Sequence, residues 1–364
     1  MHTKISIQMT PKFHTLTIDN IRKETEDTVS IAFEIPTELE KDYNFQAGQY
    51  LTLKSTIDGE EVRRSYSLSS SPLENEWRVA IKKIDGGKFS TYANEKFSEG
   101  QLIEVMTPTG NFHLESSPSH KKSYVLIAAG SGITPIISIA KTVLNEEPNS
   151  NVTLFYGNKN FGSIIFREEI EALKNSFMNR LTVIHILSRE SLGNAIQKGR
   201  IDAEKIKQLH KAYLNNSAID EVFVCGPEEM VHSVKNHFTE HVSDVKNIHF
   251  ELFTTSTVKK DTTSIVSSEP SIAANVKVII DGDMLELALS SDGESILDAA
   301  FKAGGDLPFA CKGGVCCTCK AKIIEGTASM DINYALEPDE VAAGYILTCQ
   351  AHPTSEKLII SFDE

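Results

Sequence analysis

Cys311, Cys316, Cys319 and Cys349 carry the most specific chemical signal in this chain of 364 residues. The gaps between them are four, two and 29 residues. That spacing suits four thiolates holding a plant-type 2Fe-2S cluster. Gly313 and Gly314 fit the same loop, whose backbone must turn its N–H groups onto an anionic cluster with no Cβ in the way. Zinc is the alternative. Cys316-x2-Cys319 and Cys349-x2-His352 have Cys3His spacing, but that set leaves Cys311 and the double glycine without a role. Cys317 belongs to neither set and is expected as a free thiol in a packing or surface role.

A second group of residues is suited to a flavin. Arg64-Ser65-Tyr66-Ser67 offers a cation for a pyrophosphate, an aromatic plate for an isoalloxazine, and hydroxyls, of which Ser67 could bond near the flavin N5. Such a quartet also occurs in plain surface strands. Its reading gains from Gly86-Gly87-Lys88-Phe89-Ser90-Thr91, a glycine turn opening a helix with Ser90 or Thr91 expected as its cap, which is a phosphate-binding arrangement.

A third group suits a dinucleotide. Gly130-Ser131-Gly132-Ile133-Thr134-Pro135 follows an apolar run and precedes a helical pattern, the context in which backbone amides approach a pyrophosphate. It lacks the full Gly-x-Gly-x-x-Gly fingerprint. Cys225-Gly226-Pro227 ends another apolar strand, with Pro227 expected in the first helical turn. Cys225 as a nucleophile is the weaker reading, since no base is expected beside it. Ser188-Arg189 falls where an adenosine ribose is usually held, and a cation there favours a 2′-phosphate and hence NADPH. Lys198 and Arg200 could add to it, or all three bases could simply be solvated.

The elements that must position these groups follow from periodicity. Strands are expected at Val29–Ile35, Tyr50–Lys54, Arg64–Ser69, Arg78–Ile84 and Leu102–Met106, with an Asp58-Gly59 hairpin turn, so residues 12–117 read as a small antiparallel β-barrel. Apolar strands at Tyr124–Ala128, Val152–Tyr156, Leu181–Leu187 and Glu221–Val224 alternate with helical segments such as Ile136–Leu144 and Phe166–Leu173. Residues 118–253 are therefore expected as an α/β domain with a parallel sheet, its ligand at the carboxyl ends of the strands. Residues 254–271 read as a linker. Residues 272–364 read as a compact α+β module, with an Asp281-Gly282 hairpin, a helix over Ser295–Ala303, the cysteine loop and a closing strand Lys357–Phe362.

Composition bounds the setting. The net charge of −14 removes a general electrostatic case for nucleic acid or an acidic membrane. From Ser271 onward there are 15 acidic residues against 6 lysines and no arginine, so the cysteine module could be steered onto a basic partner. The first residues show no secretory pattern and no apolar run long enough for a membrane span is left unbroken, so a cytoplasmic protein is expected. Five of the six cysteines crowd into the last 54 residues, which in a reducing compartment means metal rather than disulfides.

With these residues in view, the first 253 residues resemble the ferredoxin-NADP reductase superfamily, through Arg64-x-Tyr66-Ser67, Gly86-Gly87-x-x-Ser90, Gly130-x-Gly132-x-x-Pro135 and Cys225-Gly226-Pro227. The tail from about Asn275 resembles a plant-type ferredoxin of the β-grasp fold. Stretches 60–67, 310–316, 333–336 and 344–350 look like those of the reductase subunits of ring-1,2-phenylacetyl-CoA epoxidases. The resemblance implies FAD on Arg64, Tyr66, Ser67 and Ser90, a nicotinamide near Thr134 and Cys225, Glu251 and Phe253 against the flavin, and the cluster on Cys311, Cys316, Cys319 and Cys349. Cys317 departs from the small residue expected at its place, which leaves ligation intact but adds an oxidisable thiol. The implied activity is an NADPH-dependent oxidoreductase passing electrons through FAD and a 2Fe-2S cluster to the oxygenase component of a multicomponent complex, a di-iron epoxidase first. Rivals are the reductase of another oxygenase, such as a Rieske aromatic-ring dioxygenase, and a non-catalytic redox or zinc-stabilised binding module.

Overall fold

The computed structural model describes residues 11–214, 218–241, 247–254 and 271–364. The chain divides into two compact units, one within His14–Ser256 and one within Thr257–Glu364. The expected linker 254–271 lies outside the described residues apart from Thr254 and Ser271.

The first unit opens with six antiparallel strands: β1 (Phe13–Thr25), β2 (Thr28–Glu34), β3 (Tyr50–Ile57), β4 (Glu60–Ser67), β5 (Trp77–Lys82) and β6 (Leu102–Met106), in the order β4-β3-β6-β1-β2-β5. The two edges meet through a Leu68–Val79 bridge and the Ser69 N–H donating to Arg78 O at 2.8 Å, which closes the expected barrel and removes its open edges. Asp58, at φ 53°, and Gly59 make the tight turn between β3 and β4. β1 spans 13 residues that the sequence does not mark as one strand, because register shifts at Ile18/Asn20 and Lys23/Thr25 break the apolar alternation. Helix α1 (Lys88–Lys96) follows β5.

Five parallel strands follow: β7 (Ser123–Ala129), β8 (Asn151–Asn158), β9 (Leu181–Leu187), β10 (Glu221–Pro227) and β11 (Asn247–Thr254), ordered β11-β10-β7-β8-β9. Helices α2 (Ile133–Glu146), α3 (Arg167–Ser176), α4 (Ala203–Leu209) and α5 (Glu228–His241) lie between them in the chain. The order reverses between β7 and β10, so the topological switch point, where open α/β sheets bind their ligands, lies at the carboxyl ends of these two strands. The barrel and this sheet share a core. Ala47, Ala80, Phe112 and Leu114 pack in the same cluster as Leu126, Ile137 and Phe223, with the Phe112 and Phe223 rings edge to face at 5.5 Å. The expected boundary at 117/118 thus separates two sheets within one unit.

The second unit holds β12 (Ala273–Ile280), β13 (Asp283–Ser290), α6 (Ile296–Lys302), β14 (Lys320–Glu325), β15 (Ala328–Met330), α7 (Pro338–Ala342), β16 (Tyr345–Leu347), β17 (Ala351–Pro353) and β18 (Lys357–Ser361). The β12–β13 hairpin turns on Asp281, at φ 50°, and Gly282, and Ser295 caps α6 by accepting the Asp298 N–H. In the five-stranded sheet β13-β12-β18-β14-β16, β18 lies between β12 and β14 and runs parallel to β12. Pairing the first strand of the module with its last requires the whole cysteine loop to be enclosed between them in the chain.

Candidate functional site

Three of the sequence-derived motifs come together at the switch point. Gly130-Ser131-Gly132 forms a short turn between β7 and α2, and Cys225-Gly226-Pro227 ends the neighbouring β10. A Cβ on Gly132 would lie 2.2 Å from the Cys225 carbonyl oxygen, so only glycine lets the two turns touch. Thr134, 2 % exposed, donates its hydroxyl to Ser131 O at 3.1 Å and folds the turn back on itself. Pro135 follows it inside the first turn of α2, where its missing N–H breaks no helical bond. Pro227 is the last residue of β10 rather than part of the first turn of α5, since it still pairs with β11, opposite Thr254, after a register shift at Gly226. The Tyr156 hydroxyl, from β8, donates to Gly130 O at 3.0 Å and holds the other side of the turn.

At the mouth of the barrel, Ser67 is buried and its hydroxyl donates to Glu251 Oε2 at 3.2 Å, while the Cys225 thiol points at the same oxygen from 3.9 Å. Burial pushes the Glu251 carboxyl up to about 8, against which the Ser67 and Cys225 hydrogen bonds pull it down. Burial also drives the Cys225 thiol well above its ordinary range, with the Glu251 charge adding to the effect. A thiol so placed is a poor nucleophile, which leaves Cys225 as a wall and hydrogen-bonding group. The resemblance places Glu251 against the flavin; its contact with Ser67, 184 residues away, is what the fold adds. Phe253, two residues on, packs half-buried against the shared core.

Ser65 exchanges a hydrogen bond with Thr52 at 3.1 Å, and the exposed Arg64 donates to Arg63 O at 2.7 Å. The Tyr66 ring lies 5.7 Å from that of Phe89, and burial pushes its hydroxyl above the ordinary tyrosine range. Phe89, at 2 % exposure, packs its ring in the barrel core, which leaves only its backbone for the phosphate role expected of this turn. The cap expected at Ser90 or Thr91 is corrected. Gly87 is the N-cap of α1; Ser90 accepts from the Ile84 N–H at 3.1 Å, and the Thr91 N–H already donates to Gly87 O. Both residues sit inside the first turn, so the capping role falls to the glycine backbone.

Ser188 and Arg189 leave β9 with their N–H groups on Asn158 O and Lys159 O, at 2.9 and 2.8 Å. The Gly199 N–H returns to Leu187 O at 2.9 Å and sets Lys198 beside this edge, with Arg189, Lys198 and Arg200 all exposed. These bases are solvated, yet the backbone gathers them at one strand end.

In the second unit the cysteines fall into two pairs. Cys316 Sγ lies 3.1 Å from Cys311 Sγ, and Cys319 contacts Cys349. The Cys316 hydrogen bond pulls Cys311 down to about 6, helped by the N–H groups of Gly313, Val315 and Cys316. Two thiol pairs served by inward amides fit two bridged irons. A Cβ on Gly314, at φ 72°, would strike Ile332 O at 2.8 Å, so the loop is packed to the limit there. Cys317 stands apart, its Sγ 3.4 Å from Ala335 O, and all six cysteines are free of disulfides.

The fold and these sites define a modular flavin and iron-sulfur oxidoreductase. Residues 15–114 match the oxidoreductase FAD-binding domain, 126–236 the oxidoreductase NAD-binding domain, and 278–354 the 2Fe-2S iron-sulfur cluster binding domain. The chain is 44 % identical over 351 residues to the E component of the 1,2-phenylacetyl-CoA epoxidase of Escherichia coli K12, covering 96 % of this chain and 98 % of that one. It is 33 % identical to the ferredoxin reductase component of the 3-ketosteroid-9-alpha-monooxygenase of Rhodococcus rhodochrous, over 95 % and 96 % of the two chains. Phthalate dioxygenase reductase shares its fold, with a TM-score of 0.58 at 22 % identity over 96 % of this chain and 98 % of that one. The chain belongs to the ferredoxin-NADP reductase superfamily members with a C-terminal plant-type 2Fe-2S domain, in the family of oxygenase reductase components that includes the one from the epoxidase. Among the described residues, no helix is long and apolar enough to cross a membrane.

Proposed function

We propose that this chain carries electrons from NADPH, through FAD and a 2Fe-2S cluster, to a di-iron epoxidase acting on phenylacetyl-CoA. The observation that carries the redox reading is the meeting of Ser67, from the flavin-type motif, with Cys225, from the nucleotide-type motif, on the one carboxyl of Glu251. Two separately recognisable half-sites face each other there. The choice of acceptor rests on the 44 % identity to the epoxidase component. The 33 % identity to the ketosteroid monooxygenase component supports a second reading, in which another oxygenase takes the electrons.

Bound together, the cofactors would supply the redox chemistry, the flavin taking a hydride from the nicotinamide and the cluster relaying electrons singly. The chain supplies position and charge. Arg64, Ser65 and the turn at Gly87, Phe89, Ser90 and Thr91 would hold the FAD phosphates and ribityl chain, and Tyr66 would wall the ring. Gly130, Gly132, Thr134, Pro135, Cys225, Gly226 and Pro227 would cradle the nicotinamide half, with Ser188 and Arg189 at the adenosine end. With its carboxyl raised to about 8, Glu251 holds a proton at neutral pH, hydrogen-bonded through Oε2 to the Ser67 hydroxyl. A neutral carboxyl there would place no negative charge beside a flavin ring that gains electron density on taking up hydride. Cys311, Cys316, Cys319 and Cys349 would ligate the cluster. The acidic surface of the second unit suits a basic docking face on the oxygenase, and six free cysteines suit the cytoplasm.

The test is an anaerobic ultraviolet-visible titration with NADPH and then NADH, followed by extraction of the flavin and reconstitution with the remaining epoxidase components. Joint bleaching of flavin and iron-sulfur bands by NADPH, release of FAD, and turnover of phenylacetyl-CoA are expected. Bleaching without turnover would move the acceptor to another oxygenase, and a spectrum indifferent to NADPH would overturn the reading.

A further inference from the structure

Helix α2 carries a polar stripe inside an otherwise apolar helix. Thr134, Ser138, Lys141 and Thr142 are spaced at i, i+4, i+7 and i+8, which puts them on one face. The last three are 0, 6 and 2 % exposed. Buried polar groups are costly unless each is bonded, so the partners show what this face is built to grip. Thr134 turns back to Ser131 O and Thr142 also donates to Ser138 O within the helix at 2.8 Å, but every other partner of Ser138, Lys141 and Thr142 lies in the segment that leaves the flavin-type motif or in α3. Ser138 Oγ donates to Ser70 O at 2.6 Å, Lys141 Nζ to Ser69 O at 3.3 Å, and Thr142 Oγ1 shares a hydrogen bond of 2.8 Å with Ser71 Oγ. Lys141 also pairs with Glu74 at 3.1 Å and with Glu169 of α3. Glu74 is itself fixed, because its carboxylate accepts the Ser71 N–H at 2.8 Å in a capping box.

We infer that α2 is a strut that sets the spacing between the flavin and nicotinamide half-sites, with Lys141 as its positioning residue. One end of the helix begins in the Gly130–Thr134 turn; its polar stripe is bolted to Ser69–Glu74, two to seven residues beyond Ser67. A displacement of either end changes the approach of one half-site to the other. Lys141 is the bolt with most to hold. Its ammonium lies between carboxylates from the barrel side and from α3, and without it Glu74 and Glu169 face each other uncompensated. This inference rests on the proposed cofactor roles of Ser67 and Thr134.

The experiment is stopped-flow reduction of the holoprotein by NADPH and by its C4-deuterated form, in wild type, Lys141→Met and Lys141→Arg, with flavin content, NADPH affinity and melting temperature measured on each. Hydride transfer is sensitive to displacements below an ångström. Lys141→Met is therefore expected to slow the isotope-sensitive step by about tenfold or more, at unchanged flavin content and with NADPH affinity within about twofold, while Lys141→Arg restores most of the rate. A wild-type rate in Lys141→Met, however far its melting temperature falls, would overturn the strut. If Lys141→Met does not fold, Ser138→Ala, which removes the bond from α2 to Ser70 O, takes its place: a slower isotope-sensitive step supports the strut, and an unchanged one overturns it. Failure of the wild type to be reduced by NADPH would instead sink the underlying cofactor reading, and is distinguished by appearing before any substitution.

Discussion

The Ser67 hydroxyl and the Glu251 carboxyl, 184 residues apart in the chain, meet at 3.2 Å across the joint between barrel and parallel sheet. The Cys225 thiol lies 3.9 Å from the same oxygen, so Glu251 Oε2 accepts from both sides of this joint. A carboxyl raised from its ordinary 4.5 to about 8 binds a proton that the unfolded chain would release.

The pH dependence follows from that difference. Between about pH 4.5 and 8 the folded state holds one more proton at Glu251 than the unfolded state, so this group's contribution to stability falls as pH rises and levels off above about 8. Glu251→Gln is expected to flatten that part of the stability curve, read as urea midpoints from pH 5 to 9. A parallel curve in the variant would place the proton elsewhere.

Replacing Arg189 by alanine is expected to raise KM for NADPH by about tenfold, the scale of one charge-assisted contact, while leaving KM for NADH within about twofold. Steady-state reduction of an artificial acceptor measures both. Equal effects on the two nucleotides would mean that the exposed guanidinium reads no 2′-phosphate.

Gly132→Ala sets a Cβ 2.2 Å from the Cys225 carbonyl oxygen, a backbone atom that cannot swing away. Overpacking of this kind costs about 1–3 kcal/mol, and here it also pries apart the two turns that would cradle the nicotinamide. A lower urea midpoint together with a raised KM for NADPH is expected; an unaltered KM would remove these turns from the nucleotide site.

Cys349→Ser should abolish the iron-sulfur absorption bands and the reduction of one-electron acceptors that depend on the cluster, while NADPH still bleaches the flavin, because the flavin and nucleotide residues lie in the other unit. Cys317→Ser should keep the cluster and slow its oxidative loss in air. Iron and sulfide analysis distinguishes these outcomes, and loss of iron from Cys317→Ser would make that thiol a ligand.

Features carried by neighbours along the chain were readable before any fold was known. The spacing of Cys311, Cys316 and Cys319, the glycine turns after apolar runs, the Asp-Gly hairpins and the alternation of strand and helix are local patterns, and local steric and hydrogen-bonding rules turn them directly into loops and elements. The helix cap at Gly87 lay one step beyond such rules, since a serine near a helix start can serve the preceding turn instead, as Ser90 does for Ile84. The partners of Glu251 and of the polar stripe of α2 were a different matter. A lone lysine in the apolar run of α2 was a visible signal of a buried partner, but nothing near it in sequence named Glu74 or Glu169. That Ser67, Cys225 and Glu251 share one oxygen is a property of the folded chain, because the closing of the barrel and the reversal of strand order between β7 and β10 bring them together. Burial at that joint, which no local pattern records, then sets the protonation state of Glu251.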